Sequence, residues 1–259
     1  MSTPTLDELR LVVQPAEKMQ RRSGEHWAGR LYMRWVSLRV TRRLVNSPIS
    51  ANGYTYLMIV AGLAAGAALL IPGLAGALVG ALLIQVYLLL DCVDGELARW
   101  RKQTSIVGVY LDRIGAYAVE AAFLAGLGFR ADRLHAGPWA VLGLAAAAGI
   151  LVVKSETDLV DVARARSGLP AVAESASVPR STKVARARVL ASAFKVHRLI
   201  VVIETSLLVL AAGILDAVAG GGASGLFYTR LAVALLAAIA LAMVFLHFVS
   251  IVMSSRLKG

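Results

Sequence analysis

Six long apolar stretches, separated by turns and charge clusters, organise this chain. About 18 consecutive apolar residues suffice to suggest a bilayer-crossing helix. On that basis the pattern predicts helices over Tyr54–Ile71, Ala77–Ala98, Val107–Phe129, Trp139–Asp158, Leu199–Val218 and Leu226–Met253. A short "PGLAG" turn follows the first and a glycine-rich "AGGGASG" the fifth. Ahead of them, Glu25–Val45 interleaves Trp27, Leu31, Trp35 and Val36 with cations. That pattern suits an amphipathic helix lying in the membrane interface; the plainer alternative is a soluble helix packed on the cytoplasmic face. The expected fold is an all-α membrane protein of six transmembrane helices preceded by an amphipathic cytoplasmic interfacial helix. Residues 1–46 form the N-terminal segment and 47–259 the transmembrane domain. Ser167–Ser181, small and proline-containing, reads as a loop.

Composition agrees: 58% of the 259 residues are hydrophobic, and the mean hydropathy is +0.70. The first 45 residues hold no apolar core of a cleavable signal peptide, so the first span is expected to act as the insertion signal. The net charge of +11 would suggest nucleic acid in a soluble protein, but its distribution says otherwise. Nine Lys and Arg precede the first span. Arg99, Arg101 and Lys102 follow the second. Arg164, Arg166, Arg180, Lys183, Arg186, Arg188 and Lys195 link the fourth and fifth, and Arg256 and Lys258 end the chain. The opposite links hold only Arg130, Arg133 and Arg230. Cytoplasmic loops carry such an excess, so both termini are expected in the cytoplasm, with anionic lipids rather than nucleic acid as partners. The one cysteine, Cys92, excludes an intramolecular disulfide and a cysteine-based zinc site.

Against this background the stretch "LLLDCVDGELARWRKQTSIVGVYLDRIGAYAVE", Leu88 to Glu120, stands out. Residues three and four apart share a helix face, which aligns Asp91, Asp94 and Ala98 on the second span and Gly108, Asp112 and Ala116 on the third. The short link makes the two helices antiparallel neighbours, so the acidic faces lie at one depth. Carboxylates inside a span are costly, and three together repel unless a cation neutralises them. Hard oxygen ligands suit Mg²⁺, Mn²⁺ or Ca²⁺. Gly95, Ala98 and Gly108 leave space beside the acids, and Arg99 at the cytoplasmic end suits a phosphate. Together these point to phosphoryl or nucleotide chemistry. Ion or proton transport through carboxylates and helix packing through small residues remain open on the same residues.

"DCVDGELAR", Asp91 to Arg99, followed by "GVYLD", Gly108 to Asp112, resembles the signature of the CDP-alcohol phosphotransferase family, D-x-x-D-G-x-x-A-R, about eight residues, then G-x-x-x-D-x-x-x-D. Upstream, "PISANGYT" is similar to the family's P-N-x-x-T opening of span one. Asn52 and Thr55 keep the spacing, and Ala51 stands where proline is usual. The resemblance implies transfer of a phosphate-linked group from a CDP-alcohol, most often CDP-diacylglycerol, to an acceptor alcohol, with release of CMP. It implies two divalent ions, Mg²⁺ or Mn²⁺, on Asp91, Asp94 and Asp112. Gly95, Ala98, Arg99 and Gly108 would shape the cytidine and phosphate pocket, with Asn52 and Thr55 beside it, and the enzyme would be a homodimer.

The pattern breaks at its last position. The family places there an aspartate that deprotonates the acceptor, and this chain has Ala116, which neither accepts a proton nor binds metal. Glu120 is the nearest alternative base, one turn or about 5.4 Å further along. Lys154, His197 and Arg198 could hold the phosphate of a phosphorylated acceptor, or could be snorkelling and locally paired. Glu156, Asp158, Glu204 and Arg113 are further charges in or beside spans, and His247 reads as packed within the bundle. Besides the enzyme, Ala116 keeps a non-catalytic nucleotide- or lipid-binding membrane protein open. A cation transporter fits less well, because the acids gather toward one membrane face.

Overall fold

The computed structural model describes residues 3–15, 28–170, 201–219 and 225–257. Every regular element among them is helical. α1 is Leu6–Val13; a short π-helical turn, Gly29–Met33, leads into α2, Arg34–Leu44. Then follow α3 (Ala51–Ala68), α4 (Gly73–Trp100), α5 (Ile106–Ala131), α6 (Pro138–Arg166), α7 (Val202–Val218) and α8 (Phe227–Val252), with a 3₁₀ turn at Ser255–Leu257.

Four of these, α4, α5, α6 and α8, are long and apolar enough to cross a membrane, the make-up of a multi-pass membrane protein. Each predicted span corresponds to a helix, but two fall short of that standard. α3 begins one turn earlier than expected, so the polar run Asn52–Tyr56 counts against its hydropathy. α7 has only 17 residues, beginning at Val202 rather than Leu199. The glycine-rich run after it, the link 171–200 and the part of the interfacial stretch before Ala28 lie outside the described residues.

The chain divides into two compact units: Met1–Ala65 with Ala81–Val119, and Gly66–Gly80 with Glu120–Gly259. In the first, Leu9 and Val13 of α1, Leu38 of α2, Val45, Ala51 and Tyr54, and Val93 and Leu97 of α4 form one buried apolar cluster. α1 is set by a T-x-x-E capping box: Thr5 Oγ1 accepts from the Glu8 amide at 3.2 Å, and Glu8 Oε2 accepts from the Thr5 amide at 2.8 Å. Arg101 closes the end of α2, donating to the carbonyls of Leu44, Val45, Ser47 and Ile49.

α2 differs from the expected interfacial helix in one respect. Its buried face is Ser37, Leu38 and Thr41, two of the three polar. Leu31 and Trp35 are 73% and 58% exposed, and the Arg39 guanidinium lies 3.3 Å over the Trp35 ring.

The second unit packs through small residues and buried caps. A Cβ on Gly128 would come 2.8 Å from the Gly143 Cα, so α5 and α6 touch backbone to backbone. Helix ends here are satisfied by side chains, as an apolar solvent demands. Asp216 accepts from the Tyr228 and Thr229 amides at 2.8 and 3.1 Å and from the Thr229 hydroxyl at 2.6 Å, capping α8. Buried Arg130 donates to the carbonyls of Leu69, Ile71 and Gly73. Arg164 donates to those of Pro170 and Arg256.

Candidate functional site

The acidic motif lies wholly in the first unit, on the C-terminal part of α4 and the N-terminal part of α5. Asp91 lies within electrostatic range of Asp112 and Asp94, and Asp94 within range of Asp112. α4 and α5 therefore carry the two ends of the motif within electrostatic range of one another. Carboxylates this close require a proton or a cation between them. Asp94 is buried; Thr55 Oγ1 on α3 donates to its Oδ2 at 2.6 Å. The P-N-x-x-T-like opening thus orients a motif carboxylate.

The donor set, hard carboxylate oxygens on two neighbouring helices, has the chemistry of a divalent-cation site. The side chains as they stand do not form a closed cage: among the described residues, no group of three or more His, Cys, Asp and Glu is arranged to hold a metal ion. Asp112 is exposed, Asp91 half-buried and Asp94 already engaged by Thr55.

The small residues have particular neighbours. A Cβ at Gly95 would meet the Arg99 guanidinium at 3.2 Å, so the group that approaches Gly95 is an arginine of the same helix. A Cβ at Gly108 would meet Asn52 Oδ1 at 3.0 Å, which sets Asn52 against the start of α5. Ala98 packs on the apolar cluster. Arg99 is half-buried; its Nε donates to the Val13 carbonyl at 2.8 Å, and its charge acts on Asp94. Ala116 is half-buried on α5.

Two residues not picked out from the sequence stand next to this group. Glu96 is completely buried. Its Oε1 accepts from Gln14 Nε2 at 2.7 Å and Ser37 Oγ at 2.8 Å, its Oε2 accepts from Thr41 Oγ1 at 2.7 Å, and Arg34 is ion-paired to it at 3.8 Å. Arg34 also acts electrostatically on Asp91 and Arg99. A charge inside an apolar helix was the available signal for Glu96. Arg34 had none, being one cation of a basic segment.

The second unit holds the other charged candidates. Lys154 Nζ lies 3.2 Å from Glu120 Oε1, while Glu120 Oε2 is buried without a hydrogen-bond partner among the described residues. Glu204 lies within electrostatic range of Glu120. His247 Nε2 and Thr157 Oγ1 are 2.9 Å apart. His197 and Arg198 lie outside the described residues.

Fold and site define a helical, multi-pass membrane protein that gathers carboxylates beside arginine on two neighbouring helices. Its sequence is similar to a transferase, the bifunctional IPC transferase and DIPP synthase of Thermococcus kodakarensis: 31% identical over 137 residues, 52% of this chain and 30% of that enzyme. The chain thus spans less than a third of the relative's length. No protein-family model matches the chain.

Proposed function

We propose that this chain is a metal-dependent CDP-alcohol phosphotransferase of the membrane, built to transfer a phosphate-linked group from a CDP-alcohol, CDP-diacylglycerol foremost, to an acceptor alcohol with release of CMP. The observation that carries this reading is the electrostatic proximity of Asp91 and Asp112 on neighbouring helices, the two halves of the family-like motif. The similarity to a transferase supports it.

Asp91, Asp94 and Asp112 would hold Mg²⁺ or Mn²⁺, which supplies neutralisation of the diphosphate and of the charge growing on the CMP leaving group. Thr55 holds Asp94 in one orientation. Arg99 offers a guanidinium to phosphate oxygens, and Gly95, Ala98, Gly108 and Asn52 border the donor. The acceptor hydroxyl attacks the β-phosphorus, its proton leaves, and the bond to CMP breaks. At Ala116 no group takes that proton. Glu120 is the alternative base, its Oε1 engaged by Lys154. Lys154 and Arg198 would hold the phosphate of a phosphorylated acceptor.

The membrane plan proposed with this function keeps six spans, both termini cytoplasmic, in a homodimer. The 18 residues of α3 and 17 of α7 lie at the lower end of the roughly 17–25 a span needs. Exposed Leu11, Leu31 and Trp35 beside arginines suit α1 and α2 to an anionic membrane surface. A second reading, a nucleotide- or lipid-binding protein without turnover, is favoured by Ala116 alone.

CMP release from CDP-diacylglycerol with Mg²⁺ or Mn²⁺, across a panel of acceptor alcohols, separates these readings when the chain is assayed beside Ala116→Asp. Turnover by Ala116→Asp alone, raised on the order of a hundredfold or more as for a restored general base, fixes the family mechanism. Equal turnover by both places the base elsewhere. Release by neither, on any acceptor, removes the enzyme reading.

A further inference from the structure

The donor site as proposed uses one arginine, yet the first unit gathers two. Arg34, at the start of α2, acts electrostatically on both Asp91 and Arg99. Its side chain is 28% exposed and is joined to Glu96 Oε1 at 3.8 Å. Glu96 in turn has no freedom: it is fully buried and accepts three short hydrogen bonds from Gln14, Ser37 and Thr41. Two guanidinium groups near one another repel, and each gains by sharing an anion. With the aspartates given over to divalent cations, Glu96 is an anion that Arg34 and Arg99 share, and a diphosphate held by those cations would supply a second. A planar guanidinium matches phosphate oxygens two at a time. The motif supplies Arg99; the N-terminal segment supplies the other.

We propose that Arg34 is a second phosphate-binding residue of the nucleotide-diphosphate site, and that Glu96 is the positioning residue that sets it there. This rests on the donor reading above and adds the N-terminal segment to the site. Gln14, Ser37 and Thr41 fix the Glu96 carboxylate, and the carboxylate fixes Arg34. The donor's diphosphate would then meet both guanidinium groups. Because the Arg99 Nε donates to the Val13 carbonyl, both arginines depend on the seating of α1 and α2 against α4.

Calorimetric titration of the purified chain in detergent with CDP and Mg²⁺ tests this, with CMP titrated alongside. Arg34→Gln is expected to weaken CDP binding about tenfold, the value of one charge-assisted contact, and to narrow the preference for CDP over CMP. Glu96→Gln should give the same narrowing, and the double variant should be no weaker than Arg34→Gln alone. Arg43→Gln, which removes an exposed charge from the same helix, should bind as the unaltered chain does. A structural role alone would lower the unfolding temperature and leave the CDP-to-CMP ratio unchanged, and that result overturns the proposal. If Glu96→Gln does not fold, Arg34→Gln decides alone. No Mg²⁺-dependent CDP binding by the unaltered chain overturns the donor reading, and this inference with it. CDP binding by the unaltered chain that Arg34→Gln leaves intact overturns this inference only.

Discussion

Glu96 in the first unit and Glu120 in the second are both buried glutamates on membrane-crossing helices, and their surroundings differ sharply. Glu96 meets three neutral donors and one cation from two other segments, so its charge is spread over a complete set of partners. Glu120 meets a single lysine, and its second oxygen has no partner among the described residues. A buried carboxylate satisfied by several donors acts as a structural hub, because each partner would be stranded by its loss. One held by a single opposite charge is a minimal pair, in which mutual attraction roughly offsets the loss of hydration. The first arrangement fixes neighbouring segments in place. The second leaves one carboxylate oxygen buried and unsatisfied among the described residues.

The comparison can be broken at either end. Glu96→Leu, which strands the donors of Gln14, Ser37 and Thr41 in an apolar interior, should cost about 4 kcal/mol in reversible unfolding in detergent micelles. A loss near zero would mean that the hub holds nothing. Glu120→Met alone should cost about 3 kcal/mol by removing the carboxylate paired with Lys154, and adding Lys154→Met should restore stability to within about 1 kcal/mol. If the double variant stays as unstable as the single one, Glu120 has further partners and the contrast disappears.

The smallest effect concerns the seating of α1. The Thr5 amide and hydroxyl beside Glu8 hold its carboxyl below the usual glutamate range. A depressed carboxyl stabilises the helix above its unfolded pKa, and that stabilisation is lost as pH falls through the lowered value. Amide exchange of α1, corrected for intrinsic rates, should therefore accelerate only under acid conditions. Thr5→Ala should accelerate it roughly fivefold at neutral pH, the worth of an N-cap. Exchange unchanged by either would detach the capping box from the seating of α1.

Much of this was legible along the chain. Helix type and the approximate position of the long apolar helices follow from apolar runs, because a bilayer leaves the backbone few alternatives. The proximity of Asp91 to Asp112 follows from helical spacing and a short link. Other features were harder to read. The T-x-x-E box that starts α1 opens a helix of only eight residues, with Leu6, Leu9 and Val13 at helical spacing, too short to stand out beside the long apolar runs. α2 looked amphipathic through Trp35 and Val36, yet it buries Ser37 and Thr41, because the surface it meets presents Glu96 rather than hydrocarbon. Lys154 read along the chain as either a phosphate ligand or a locally paired cation, and only the structure shows its pairing with Glu120.

The sequence by itself determined the solvent this protein is built for, the helices that solvent permits, and the placing of three aspartates and one arginine at helical intervals, all consequences of local periodicity. It also determined what is missing, since no packing can supply a proton acceptor to Ala116. Tertiary structure decided which polar groups meet across long separations. Thr55 reaches Asp94, Gln14 and Thr41 reach Glu96, and the Val13 carbonyl holds Arg99. A buried charge must be satisfied by whatever packing brings within about 3 Å, and no interval along the chain encodes that distance.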